Sequence, residues 1–228
     1  MDNDRREHVA PAACTLDHIV VIAPTLRSGV EWVRDALGVA PQPGGAHREM
    51  GTHNCLLRLG ESAYLEVIAV DADAPAPDRP RWFGLDRLAL DDAPRLAAWV
   101  ARTADIRAAH SVCGEPLGGI ERMSRGDLSW LITIPEDGSL PQAGAAPMLI
   151  EWATGTPHPA TRLDDSRHEL LQLQVFHAQP DRIAAVLDSI GFEGAVRMHP
   201  SPPDAPPCLL ARIRTPNGIR VLGNALSG

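Results

Sequence analysis

The sequence predicts an α+β protein built from repeated βαβββ modules, and three observations carry that reading. An apolar, β-branched run closed by a proline passes directly into a run with helical spacing. Short apolar strands separated by turn residues then follow. The same order recurs twice more within the 228 residues, which is how a repeated supersecondary unit reads.

In the first unit, Leu16 to Ala23 is apolar except for Asp17 and His18 and ends at Pro24, the pattern of a strand buried on both faces. Thr25 is placed to cap a helix from Leu26 to Leu37, in which Val30, Val33, Ala36 and Leu37 recur on one face. Gly38 sits where a left-handed C-terminal residue is wanted. A short strand is expected near Val39, then a Pro/Gly loop from Pro41 to Gly45, then strands Asn54 to Leu59 and Ala63 to Val70 around the turn Gly60-Glu61-Ser62.

The segment Asp71 to Pro80, rich in Pro, Asp and Ala, marks a module boundary. In the second unit Leu96 to Thr103 reads as the first strand, although Leu90 to Arg102 also shows some helical periodicity. Asp105 is placed to cap a short helix through His110, and strands are expected over Gly119 to Met123, Leu128 to Ile134 and Met148 to Ala153. The third unit is strand Leu170 to Phe176, helix Asp181 to Ile190, strand Cys208 to Arg214, an Asn217-Gly218 turn and strand Ile219 to Leu222. Its five prolines between Pro200 and Pro207 exclude a central strand there. The expected organisation is a disordered tail over 1–14, modules over 15–72 and 88–155, and a third, partial module over 167–228.

Composition narrows the partners. The net charge is −8, and all 21 cationic side chains are Arg, so a phosphate-binding surface and a nucleic-acid partner are not expected. No apolar run approaches the roughly 20 residues that span a bilayer, and the first residues lack a secretory signal, so a cytoplasmic protein without membrane contact is expected. Cys14, Cys55, Cys113 and Cys208 are scattered without a C-x-x-C pair and read as reduced thiols.

Two strands carry a carboxylate amid apolar neighbours: Glu66 in Tyr64-Leu65-Glu66-Val67-Ile68 and Glu151 in Leu149-Ile150-Glu151-Trp152-Ala153. Alternation puts Glu66 on the face of Tyr64 and Ile68, and Glu151 on the face of Leu149 and Ala153. A desolvated carboxylate demands a cation or hydrogen-bond donors, so each stands either at a wet strand end or in a cavity. His47 and His53 flank a Gly-rich stretch, where loop hydrogen bonding competes with ligand contact. Arg58 and Arg102 are open to carboxylate recognition or to an ion pair with Glu66 or Glu151. Trp32, Trp99, Trp130 and Trp152 read as core, with Trp99 and Trp152 the candidates for a pocket wall. No G-x-S-x-G elbow, P-loop or dinucleotide-binding G-x-G-x-x-G is present.

The strings Leu16-Asp17-His18-Ile19-Val20-Val21, Gly44-Gly45-Ala46-His47 with Gly51-Thr52-His53-Asn54, and Tyr64-Leu65-Glu66-Val67-Ile68-Ala69 resemble the glyoxalase-like family of the vicinal oxygen chelate superfamily, which includes glyoxalases, bleomycin-resistance proteins and dioxygenases. Phe83-Gly84-Leu85-Asp86, Ala98-Trp99-Val100-Ala101-Arg102-Thr103, Leu149-Ile150-Glu151-Trp152 and His158-Pro159 continue the likeness. The resemblance implies a half-open mixed β-barrel of paired modules, with His18, Glu66 and Glu151 as ligands of a divalent metal (Mn, Fe, Ni or Zn). It implies Glu66 and Glu151 as catalytic carboxylates, and a substrate pocket to which His53, Trp99, Arg102 and Trp152 are assigned. The second module's first strand offers Ala98 to Ala101 where a fourth ligand belongs, so His53, a water or a metal-free site stands open. Two functions follow: a metal-dependent lyase, isomerase or dioxygenase acting on a small oxygenated molecule, or a non-catalytic binder or resistance-type protein without metal. Because such modules pair and three is odd, the third is expected to pack on the first two or on a second chain, and a homodimer is expected.

Overall fold

The computed structural model describes residues 13–223. Strand β1 (Cys14–Ile22), helix α1 (Leu26–Leu37), β2 (Gln42–His47), β3 (Thr52–Arg58) and β4 (Tyr64–Val70) form the first module. The second comprises β5 (Arg95–Arg102), α2 (Ile106–Val112), β6 (Gly119–Arg125), β7 (Leu128–Ile134) and β8 (Met148–Trp152). Thr25 caps α1 through a reciprocal bond with Ser28, and Gly38 closes it at φ 82°, its N–H donating to the Arg34 carbonyl.

The two modules merge into one curled mixed sheet in the order β2-β3-β4-β1-β5-β8-β7-β6. Each module's first strand runs parallel to its own last strand, β1 with β4 and β5 with β8, while β1 and β5 pair antiparallel at the centre. The result is a half-barrel with two chemically distinct faces. Val20, Ile22, Ile68, Ala98, Val100, Ile132 and Ile150 pack on the concave side. Ile19, Val21, Leu65, Val67, Trp99 and Leu149 pack on the convex side, against Val33 and Leu37 of α1 and Ile106 and Ala109 of α2.

Strand β9 (Glu169–His177), helix α3 (Pro180–Ser189), the two-residue β10 (Phe192–Glu193), β11 (Val196–Pro200), β12 (Cys208–Thr215) and β13 (Gly218–Leu222) complete the described chain. This unit resembles the modules in its order of elements but not in topology: its sheet is β11-β9-β12-β13, so β11, not the last strand, lies parallel to the first. Leu173, Val175, Leu209, Ala211, Ile213 and Leu222 join the convex-side core, so the third unit packs on the first two within one chain. The β10 segment ties it to β1 through Cys14 and Thr15.

Three boundaries differ from expectation. The tail expected over 1–14 lies outside the described residues through residue 12, and Cys14, fully buried, already belongs to β1. No strand forms at Val39; the strand lies at Gln42–His47, through the expected Pro/Gly loop. It tolerates Pro43 because β2 is a sheet edge with a register shift between Pro43 and Gly45, so the missing N–H breaks no central ladder. Strand β11 was not expected; Val196 and Met198 alternate with Arg197 and His199, but the run is only five residues long and ends in Pro200.

Candidate functional site

The concave side opens onto a pocket lined by polar and aromatic side chains. His18 enters from β1, Asn54 from β3, and Tyr64 and Glu66 from β4. Arg125, Trp130 and Ile132 come from the β6–β7 hairpin, Ile150 and Trp152 from β8, and His47 and Trp82 close one end.

Asp17 and His18 are sequence neighbours, yet the Asp17 Oδ1 receives His18 Nδ1 at 2.7 Å. Strict alternation would place them on opposite faces; a register shift between Leu16 and His18 in the β1–β5 ladder makes Asp17 the extra residue of a bulge and re-aims it. The Asp17 side chain is fully buried, and its other oxygen, Oδ2, accepts from Trp152 Nε1 at 3.0 Å, His158 Nε2 at 3.0 Å and Arg102 Nη1 at 3.4 Å. Burial alone raises a carboxyl pKa; here the bonds from His158 and His18 outweigh it and hold Asp17 well below the usual carboxylate range.

An ionised Asp17 is acceptor-only, so the His18 proton sits on Nδ1 in the neutral ring and Nε2 points into the cavity. There His18 Nε2 lies 3.6 Å from Glu66 Oε2. The other Glu66 oxygen accepts from Asn54 Nδ2 at 2.5 Å, and Asn54 Oδ1 accepts from Arg125 Nη1 at 2.8 Å and Gly45 N at 3.0 Å. Tyr64 stacks on the His18 ring at 4.6 Å between centroids. Burial, then the nearby Asp17 and Glu66 charges, pushes its phenol well above the ordinary range, so it remains a neutral hydroxyl.

His47 lies beside Arg125, which donates from Nη1 toward His47 Nε2 across 3.4 Å; its Nδ1 meets Thr52 Oγ1 at 3.2 Å. Burial, reinforced by the Arg125 charge, pushes the His47 pKa down to about 3, so the ring is neutral at pH 7 with its proton on Nδ1.

Of the residues expected from the sequence, His18, Glu66 and Trp152 meet in the cavity. Glu151 does not join them. Its neighbours Ile150 and Trp152 take the concave parity on β8, and the Glu151 carboxylate instead accepts the Ile106 backbone N–H at 2.8 Å, at the start of α2. The metal-ligand and catalytic roles expected for Glu151 are therefore corrected to helix capping. His53 and Trp99 also have convex parity: His53 alternates with the cavity-lining Asn54, and Trp99 donates to the Ala145 carbonyl at 3.1 Å against Phe192. Arg102 has concave parity but is spent on Asp17 and the Ser62 carbonyl, and Arg58 donates to the Gly60 carbonyl. Sequence reading missed Asp17, Asn54, Trp82, Arg125 and His158. A charged residue inside a buried strand flagged Asp17, but the other four come from loops, hairpin ends and an edge-proximal strand whose inward parity no local pattern announces.

The donor set bears on the metal. On β5 the concave residues Ala98 and Val100 are apolar, as are Ile150 and Trp152 at the end of β8, so the second module brings no ligand. Among the described residues, no group of three or more His, Cys, Asp or Glu side chains is arranged to hold a metal ion. His18 Nε2 and Glu66 Oε2 are two donors, short of the three protein ligands usual at catalytic zinc. These residues do not fit a divalent ion held by protein side chains alone.

A sheet of two βαβββ modules curled around a pocket that holds His18 and Glu66 defines a vicinal oxygen chelate fold. Residues 16–191 match the glyoxalase-like domain model, and the chain belongs to that family. Among solved structures, a hypothetical protein from Staphylococcus aureus is 14% identical over 93% of this chain and 86% of its own, with a TM-score of 0.56, a likeness of fold. Methylmalonyl-CoA epimerase from Mycobacterium tuberculosis is 17% identical over 60% of this chain and 85% of its own (TM-score 0.38). A mutant 4-hydroxymandelate synthase from Streptomyces coelicolor is 15% identical over 92% and 61% (TM-score 0.45). No curated protein matches the sequence. Among the described residues, no helix is long and apolar enough to cross a membrane.

Proposed function

We propose that this protein binds a small oxygenated organic molecule in the half-barrel cavity and transfers a proton at a carbon next to its carbonyl, as isomerases and lyases do. The observation that carries this reading is the buried line Asp17–His18–Glu66, with contacts of 2.7 Å and 3.6 Å opening onto one cavity. Glu66 Oε2 takes the proton from carbon, and Asn54 holds the other carboxylate oxygen so that the basic one faces the ligand. His18, its Nδ1–H fixed by Asp17, stands beside Glu66 with Nε2 toward the ligand. Return of the proton from Glu66 to the same face of the carbon completes the cycle without net redox change.

The donor set supports a metal-independent route over the divalent-metal chemistry the family resemblance implies, because the second module supplies Ala98, Val100, Ile150 and Trp152 in place of ligands. A non-catalytic binder is the competing reading, and the same experiment separates them. Small ketones and 2-oxo acids are incubated with the protein in deuterated water, and exchange at carbon is followed by proton NMR. The expected result is catalysed exchange that falls by roughly 10²–10⁴-fold in Glu66→Gln, the usual worth of a general base. Ligands that bind without exchange would establish the binder. Near-stoichiometric divalent metal in protein purified without chelator would overturn the metal-independent route.

A further inference from the structure

We infer that the ligand is a small monocarboxylate, and that Arg125 holds its carboxylate at the junction between the cavity and an outer groove. This deepens the proposed function and rests on its placing of the reacting carbon beside Glu66. Arg125 lines both spaces: the inner pocket and a more open surface groove bordered by Gly44, Gly45 and Arg48. It makes no ion pair among the described residues, and its hydrogen bonds there, to Asn54 Oδ1 and His47 Nε2, both leave from Nη1. The Nε–Nη2 edge of the guanidinium is left for a bidentate partner, the geometry a carboxylate fits.

No carboxylate among the described residues pairs with that charge directly. His47 is a neutral acceptor, and in the groove Asp127 is taken by Arg162 through paired bonds of 2.8 and 2.6 Å. Two glycines make room for the arrangement: a Cβ on Gly44 would come within 2.1 Å of Asn54 Oδ1, and one on Gly45 within 3.0 Å of Arg125 Cδ. The distance to the chemistry is short, because Asn54 bridges Arg125 to Glu66 with one side-chain amide. A carboxylate on Arg125 therefore sets the carbon next to the ligand's carbonyl toward Glu66. A monoanion is favoured over a phosphate: one guanidinium faces a pocket that already contains the Glu66 carboxylate among aromatic walls, and a dianion there would lack charge compensation.

Calorimetric titration of the full chain with pyruvate and lactate, their neutral amides, and inorganic phosphate tests the inference. The carboxylates should bind at least about tenfold more tightly than the amides, as expected for a charge-assisted bidentate pair. Arg125→Gln should erase that preference, and Arg125→Lys should restore it only in part. Equal binding of acids and amides, tighter binding of phosphate than of either acid, an undiminished preference in Arg125→Gln, or no binding by any probe would each overturn it. If the acids bind through Arg125 but undergo no carbon exchange, the proton-transfer reading fails while the carboxylate site stands. If exchange occurs but ignores Arg125, the reverse holds.

Discussion

Asp17 and His18, adjacent on one strand, face each other side chain to side chain at 2.7 Å, and the bulge that permits this puts a fully buried carboxylate behind the imidazole of the cavity. The Asp17 carboxylate receives four side-chain donors, from His18, Trp152, His158 and Arg102, drawn from β1, β8, the loop after it and β5. It fastens the two modules together at the point where the candidate chemistry sits.

Asp17→Asn should therefore cost stability as well as function. Removing one partner of a buried charged cluster costs about 3–5 kcal/mol. Because the folded pKa of Asp17 is depressed, its contribution is present above the carboxylate's unfolded value and fades as pH falls toward the folded one. Urea unfolding at pH 7 should show the deficit, and the gap from wild type should narrow in acid. A gap independent of pH would refute the ionised hub.

His47 predicts a slope of the opposite origin. Its ring is neutral when folded, down to about pH 3, whereas the unfolded ring takes a proton near 6.5. Below 6.5 the unfolded state binds the extra proton, so stability falls as pH drops through that window, by at most about 1.4 kcal/mol per unit. In His47→Gln that component of the acid slope should disappear. Nitrogen NMR of wild type at pH 5 should find His47 neutral and protonated on Nδ1.

Glu151 and Glu66 should part company on mutation. Glu151→Ala removes the acceptor for the Ile106 N–H and should lower stability by roughly 1 kcal/mol, the ordinary worth of a helix cap, with ligand binding unaltered. Glu66→Gln should leave the fold intact and abolish exchange at carbon. Parallel thermal melts and exchange assays of the two variants compare them directly.

Gly44→Ala should damage the site from the sheet edge. A methyl there collides with Asn54 Oδ1, so the amide must leave its place between Glu66 and Arg125. The cost should be about 1–3 kcal/mol, as for overpacking elsewhere, and carboxylate affinity should drop with it. Unchanged affinity would show that the Asn54 bridge does not set the Arg125 position.

Much of this architecture was legible from residue order. The apolar runs at Leu16 to Ala23 and Ala63 to Val70, the Thr25 and Gly38 caps and the Asp105 cap all lie where local chemistry puts them, because each depends on neighbours within a few residues. Alternation also told correctly which neighbours share a face with Glu66 and which with Glu151. What it did not supply was the identity of the space each face meets. Glu151 shares its face with Leu149, and that face turned out to be the convex one, against α2.

Local pattern thus established the elements, the modular repeat and two of the cavity's central groups, His18 and Glu66. Long-range strand pairing decided the rest: the β1–β5 register creates the bulge at Asp17, the β5–β8 register turns Glu151 away, and closure of the sheet brings Arg125 and Asn54 together across 71 positions of chain. The division has a physical cause. Helix caps and side-chain alternation are enforced by the nearest few peptide groups, whereas a strand's register, and with it the side a carboxylate faces, is set only when distant segments meet.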